Sequence, residues 1–472
     1  MDRRVFLRTA GTVLGAAACT GCLGPTVPGG APPGLVDAHR FRPRSRPRVA
    51  ATFLRLPPPY WLGWPGAAYD LDSAQEEYTR RLREACRDVG ADLDLRPAPV
   101  EQESDLEAYI QGLESERPDG VVVILQHMNC WPQVERIAAR CTPTIVFAPV
   151  GTAFTGHVRS FSRTAGVYVV SSLDFSGVVA GLRMLRAKRQ FGETTLLRIA
   201  GRERGEAVLE GLGTHVREIP RRTFNELFNR TAEDRTVAEL AAAMRDGARE
   251  VVEPTREDLL NAARTFVTAV RLLEREGANA LTMDCLGMVG ERKVPTPPCM
   301  AWSMLQDAGV TAACEADLFG AVSLMLTSYL LDRPGFMNDP VPETVTNRLI
   351  AAHCTCGTRL NGFGAPPEPY ILRSHSESDR GVAMQVLWQP GQRVSLVRFT
   401  GPRELILDTG TVTANIDTPP AGGCRTSFEI EMDDVADCRD VQGFHQVVVY
   451  GDHRREVEAF CQLYGIRVTH SS

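Results

Sequence analysis

Three residues sit in contexts where carboxylate or imidazole chemistry is available to them. Glu315 lies in Ala313-Cys314-Glu315-Ala316-Asp317-Leu318, just ahead of an apolar run that reaches Leu331. A carboxylate at a helix start is held ionised by the helix dipole and by free N–H groups. Asp339 lies in Gly335-Phe336-Met337-Asn338-Asp339-Pro340, a loop by composition. His445 lies in Gly443-Phe444-His445-Gln446, at the start of a β run through Tyr450. These side chains exchange protons or ligate cations near neutral pH. Taken singly, each also has a plain structural reading: a dipole-compensating Glu, a turn or cap Asp before proline, a satisfied His beside a strand.

The elements that must position them follow from periodicity. Residues 49–56, 91–96, 120–125 and 143–149 read as strands, alternating with helices over 73–89, 104–116 and 132–140. The unbroken aliphatic run at 120–125 predicts a strand buried on both faces. Strands at 166–171, 194–200 and 278–283 continue the pattern. Thr255 and Asp258 form a capping-box start, Leu259, Ala263, Phe266, Val270 and Leu273 recur at helical spacing, and Gly277 stops the helix. Asp284 then falls at the carboxyl end of a parallel strand, where open α/β sheets bind ligands. Beyond residue 349, short strand-like runs at 394–399, 404–407 and 427–431 are punctuated by Pro390-Gly391, Asp408-Thr409-Gly410 and Gly422-Gly423, and a helix over 452–463 closes the chain. The expected fold is α/β: two Rossmann-like, doubly wound domains (48–162 and 163–348, the second carrying the carboxylates), then a C-terminal antiparallel β-barrel-like domain (349–472).

The N-terminus reads differently. Arg3-Arg4-Val5-Phe6-Leu7, followed by small apolar residues to Ala18, has the pattern of a twin-arginine export signal over 1–22. Cys19-Thr20-Gly21-Cys22 has the outline of a lipoprotein cleavage box, although Cys19 stands where an aliphatic residue is usual; whether Cys22 carries lipid stays open. Residues 23–47, rich in Pro, Gly and Arg, read as a tether. The expected location is periplasmic or at the cell envelope, with the membrane reached only through a lipid at Cys22. A net charge of −6 argues against nucleic acid or an anionic membrane held by charge alone. The 13 cysteines show no disulfide spacing and read as buried thiols.

Around Glu315, Asp339 and His445 the chain resembles the C-terminal half of L-fucose isomerase and, more distantly, L-arabinose isomerase, most specifically over 284–339 and around His445. The resemblance implies two Rossmann-like domains and a barrel, and a single divalent cation, usually Mn²⁺ with Mg²⁺ as an alternative, held by Glu315, Asp339 and His445. It implies an aldose–ketose isomerase in which Glu315 and Asp339 also act as base and acid, with trimers or hexamers as the assembly. Two carboxylates and one imidazole leave open positions for a sugar's carbonyl and adjacent hydroxyl, and a cation there stabilises an ene-diolate. His353 and Asp284 are further candidates for a ligand or a sugar contact. Members of that family are cytoplasmic, so an export signal puts the substrate in doubt. An exported sugar-binding protein and a non-catalytic homologue are the competing readings.

Other motifs weigh less. Cys354-Thr355-Cys356 has no second cysteine pair at zinc-finger spacing. His375, Glu377 and Asp379 form a polar loop that either reaches substrate or is merely solvated. Gly201-Arg202-Glu203-Arg204-Gly205 lacks the ending of a phosphate loop and reads as a turn, so no nucleotide cofactor is expected. Trp131 reads as core, with sugar stacking as the alternative.

Overall fold

The computed structural model describes residues 36–57, 63–141, 143–291, 294 and 296–472. The export signal, Cys22 and the tether up to residue 35 lie outside the described residues. The first sheet contains β1 (Arg48–Leu54), β2 (Asp92–Leu95), β3 (Gly120–Leu125), β4 (Thr144–Pro149) and β5 (Val167–Ser172), in the order β2-β1-β3-β4-β5. All its pairings are parallel. Every residue of β3 is buried, as its unbroken aliphatic run requires. The boundary expected at residue 163 places 166–171 in the second domain. Instead β5 pairs with β4 along six registered positions, Thr144 to Pro149, and forms the edge of the first sheet.

The second sheet takes β6 (Thr195–Ile199), β7 (Gly205–Val208) and β8 (His215–Ile219), then, past the two-residue β9 (Glu250–Val251), β10 (Ala280–Met283) and β11 (Ala312–Cys314). Its order is β11-β10-β6-β8-β7, parallel except for the β7–β8 edge. The helix Arg256–Glu276 that feeds β10 starts and stops where the sequence predicts. Asp258 N–H donates to Thr255 Oγ1 at 3.2 Å, Thr255 N–H donates to Asp258 Oδ2 at 2.9 Å, and Gly277 closes the helix in the left-handed region at φ 59°.

The remaining strands are β12 (Phe336–Glu343), β13 (Arg348–His353), β14 (Tyr370–Arg373), β15 (Ala383–Val386), β16 (Arg393–Gly401), β17 (Glu404–Asn415), β18 (Thr426–Met432), β19 (Gln446–Tyr450) and β20 (Arg467–Thr469). Strands β16-β19-β12-β13-β18-β17 run antiparallel, and pairing of β17 with β16 closes them into a barrel. Closure removes the sheet edges. β20 adds in parallel to β17, and β9, β14 and β15 form a small separate sheet. The architecture is thus α/β, with Rossmann-like parallel sheets followed by a closed antiparallel barrel. The barrel begins at Phe336, so Asp339, read as a loop residue ahead of the β domain, lies within its first strand.

The end of the stretch read as a tether is docked. Ala38 is buried, Asn279 donates to Phe41 O at 3.1 Å, and Gln190 donates to Pro43 O at 2.8 Å. Barrel packing allows a direct test. A Cβ added at Gly410 would lie 2.6 Å from both Glu431 O and Ile430 Cγ2. Gly410→Ala is expected to cost about 1–3 kcal/mol, read as a lower urea midpoint. An unchanged midpoint would mean that β17 and β18 approach less closely than described.

Candidate metal centre

Barrel register gathers three of the residues named from sequence. In β12, Asp339 pairs with Ala352, the residue before His353 in β13. On its other side Asn338 pairs with Gln446 of β19, which puts His445 across from Asp339. Glu315 arrives from the second sheet, immediately after β11. The site therefore forms where the carboxyl end of that sheet meets the barrel strands. Glu315 (φ 60°), Ala316 (φ 54°) and His445 (φ 54°) all occupy the left-handed region. Each such non-glycine conformation costs about 1–3 kcal/mol and persists only where surrounding packing holds it.

His445 is the hub. Its Nε2 lies 3.3 Å from Asp339 Oδ1 and 3.5 Å from Glu315 Oε2. Its Nδ1 lies 2.8 Å from Asp317 Oδ2. Asp317 is fixed in turn by Arg398 at 2.7 Å and by the Gly320 N–H at 2.9 Å, the latter capping the helix Leu318–Leu330. An ionised Asp317 accepts the Nδ1 proton, so Nε2 is the ring nitrogen that faces the two other carboxylates, where it carries a proton or, in its place, a cation. That carboxylate–imidazole arrangement orients a metal-ligating histidine.

His353 has the opposite tautomer. Its Nδ1 accepts the Thr355 N–H at 3.3 Å, so its ring proton sits on Nε2, 3.8 Å from Glu315 Oε1. Glu315, His353 and His445 are the three whose ligand atoms all lie within 4.8 Å of one another. The hydrogen bonds nevertheless separate their roles. His445 keeps its Nδ1 proton on Asp317 and turns Nε2 to the carboxylates, whereas His353 turns its Nε2 proton towards Glu315.

The electrostatics match. The His353 and His445 rings beside it hold Glu315 down at about 2, against the effect of burial. Burial also opposes ionisation of Asp317, but its bonds to His445 and Arg398 hold it well below the usual carboxylate range. Burial works against a charged His445, yet Asp317, Asp339 and Glu315 outweigh it and push the ring up to about 11. The pocket demands positive charge beside Nε2. Asp339 Oδ1 and His445 Nε2 are buried and have no hydrogen-bond partner. A buried carboxylate oxygen and a buried imidazole nitrogen aimed at one space, neither with a hydrogen-bond partner and with Glu315 beside them, fit a hard divalent cation that takes the place of the Nε2 proton.

The other candidates are engaged in contacts of their own, although register sets Asp284 beside Glu315: Met283 pairs with Cys314, and the Glu315 N–H donates to Cys285 Sγ at 3.4 Å. Asp284 caps the helix Cys285–Gly290 by accepting the Gly287 N–H at 3.2 Å, and its second oxygen pairs with Arg221. His375 bonds to Ser378 at 3.0 Å and Asp379 to Ser374 at 2.7 Å, within their own loop. Trp131 is buried, and its Nε1 donates to Thr152 O at 2.9 Å, as a core residue's would. The described cysteines, Cys354 and Cys356 included, are free thiols. Asp317 and Arg398 were not singled out from the sequence. The available signal was the Glu-x-Asp pair at the helix start.

No family model matches the chain. Over 179 residues it is 26% identical to sulfoquinovose isomerase of Clostridium sp. (strain MSTE9), a stretch covering 36% of this chain and 39% of that protein. A solute-binding protein of an ABC transporter from Burkholderia multivorans aligns over 57% of this chain and 97% of its own, at 12% identity and a TM-score of 0.18, which carries no structural argument. Fold and site together define an α/β-and-barrel protein with a candidate metal centre, distantly homologous to a sugar isomerase. The homology is to sulfoquinovose isomerase rather than specifically to L-fucose isomerase. Among the described residues no helix is long and apolar enough to cross a membrane.

Proposed function

We propose that the chain is a metal-dependent aldose–ketose isomerase acting on an open-chain sugar. The observation that carries this reading is the pair of buried, unpartnered atoms, Asp339 Oδ1 and His445 Nε2, with the Nδ1 proton of His445 committed to Asp317. His445, Asp339 and Glu315 would hold the cation, Mn²⁺ or Mg²⁺. When bound, that ion supplies Lewis-acid stabilisation of charge developing on the sugar's carbonyl oxygen. Glu315, ionised at neutral pH, takes the proton from the carbon next to the carbonyl, and Asp339 completes the transfer as its acid–base partner. His353 donates its Nε2–H into the same space and orients a sugar oxygen. The ene-diol collapses to the ketose when the proton returns to the neighbouring carbon. Export by the twin-arginine route and assembly as a trimer or hexamer belong to the same reading.

The test is a screen of aldoses, sulfoquinovose among them, with Mn²⁺-loaded protein in D₂O. Ketose carrying deuterium at the carbon that receives the returned proton is the expected product. Sugar binding without turnover of any aldose would sink the isomerase reading and leave a binding protein.

A further inference from the structure

A second polar site lies at the other end of the helix Leu318–Leu330, about 20 Å along its axis from Asp317. There a cleft of about 490 Å³ is lined by Arg42, Arg44, Arg46 and Arg186, with Asp332 as its one carboxylate. The sequence explains the first three. Arg42, Arg44 and Arg46 alternate with Pro43, Ser45 and Pro47. Proline favours an extended residue before it, and alternate residues of extended chain share a face.

Asp332 cannot neutralise this set. Arg186 meets its Oδ2 at 2.9 Å and Arg42 pairs with its Oδ1, each through Nη2. Arg42 is pinned further by Ser328 O at 2.9 Å and by the Phe363 ring at 4.5 Å. Arg46 is engaged by Asp92 at 2.5 Å. The Nη1 groups of Arg42 and Arg186, and the whole guanidinium of Arg44, have no hydrogen-bond partner or ion pair among the described residues. Guanidinium forks match the oxygens of a tetrahedral oxyanion, and several unspent forks around one cleft favour a multiply charged one.

We propose that this cleft binds a phosphate group, whether free phosphate, a phosphate ester or the headgroup of an anionic lipid. Arg42 and Arg186 are held rigid by Asp332, and Arg44 is the donor free to close on the anion. The local excess of cations coexists with a chain of net charge −6.

The test measures binding of inorganic phosphate to the whole protein by calorimetry, and co-sedimentation with vesicles of 30% phosphatidic acid, whose phosphomonoester can carry two charges, in phosphatidylcholine beside pure phosphatidylcholine. Arg44→Ser removes an exposed, unpartnered side chain and leaves the fold and metal uptake unchanged. It is expected to weaken phosphate binding about tenfold, the loss of one charged hydrogen-bonding group. Capture by the anionic vesicles alone, released by inorganic phosphate and weakened in the variant, assigns the site to a headgroup. Phosphate binding without vesicle capture assigns it to a soluble phosphate. Wild-type protein that binds neither, or a variant that binds as wild type does, overturns the proposal.

Discussion

Asp339→Asn is expected to lower turnover by roughly 10²–10⁴-fold, the range for losing a positioned acid–base group, and to remove a cation ligand at the same time. The substitution keeps shape and hydrogen-bonding size while removing charge. The fold should be spared, because Asp339 is held in β12 by backbone pairing with Ala352 and its side chain remains partly exposed. Its Oδ1 lies against His445 Nε2 with no hydrogen bond, so what the substitution removes is the carboxylate's charge beside that ring. The decisive comparison sets steady-state rates at saturating Mn²⁺ against urea midpoints. Wild-type rates in the variant would remove Asp339 from the mechanism.

The second large effect is at Asp317, which touches neither the cation nor the sugar in the proposed site. Asp317→Asn is expected to weaken cation binding by about 10–100-fold, because an asparagine no longer enforces the Nδ1–H tautomer of His445. It also strands Arg398, whose side chain is only 13% exposed, at an expected cost of about 3–5 kcal/mol. A purely structural role would therefore also register as lost stability. The double variant Asp317→Asn with Arg398→Met separates the two. It should regain stability, because no buried charge is left unpaired, yet keep the weakened Mn²⁺ affinity. Recovery of affinity along with stability would show that Asp317 acts only as a packing residue.

What could be read from the sequence was local. The helix Arg256–Glu276 announces itself through Thr255, Asp258 and Gly277, and β3 through six apolar residues in a row, because each signal is complete within a few positions. The stretch 335–340 misleads because glycine, asparagine and proline argue for a loop. Phe336 and Met337 are held as strand by pairing with Val448 and Val447, more than a hundred residues away. β5 looks the same whichever sheet it joins, and only its pairing with β4 decides. Asp317 is hidden by its own success as a helix cap, since one oxygen satisfies the Gly320 N–H while the other reaches His445 across 128 positions. Arg42 sits in a run whose composition suggests a tether, and its docking partner Asp332 lies 290 residues on.

The most direct test of the metal centre is elemental analysis of the purified protein after incubation with Mn²⁺ and removal of excess, with wild type beside Glu315→Gln. The proposed site predicts about one divalent cation per chain in wild type and its loss in the variant. A wild-type protein that stays metal-free, or a variant that retains its cation, would contradict the assignment of Glu315, Asp339 and His445 as the metal centre.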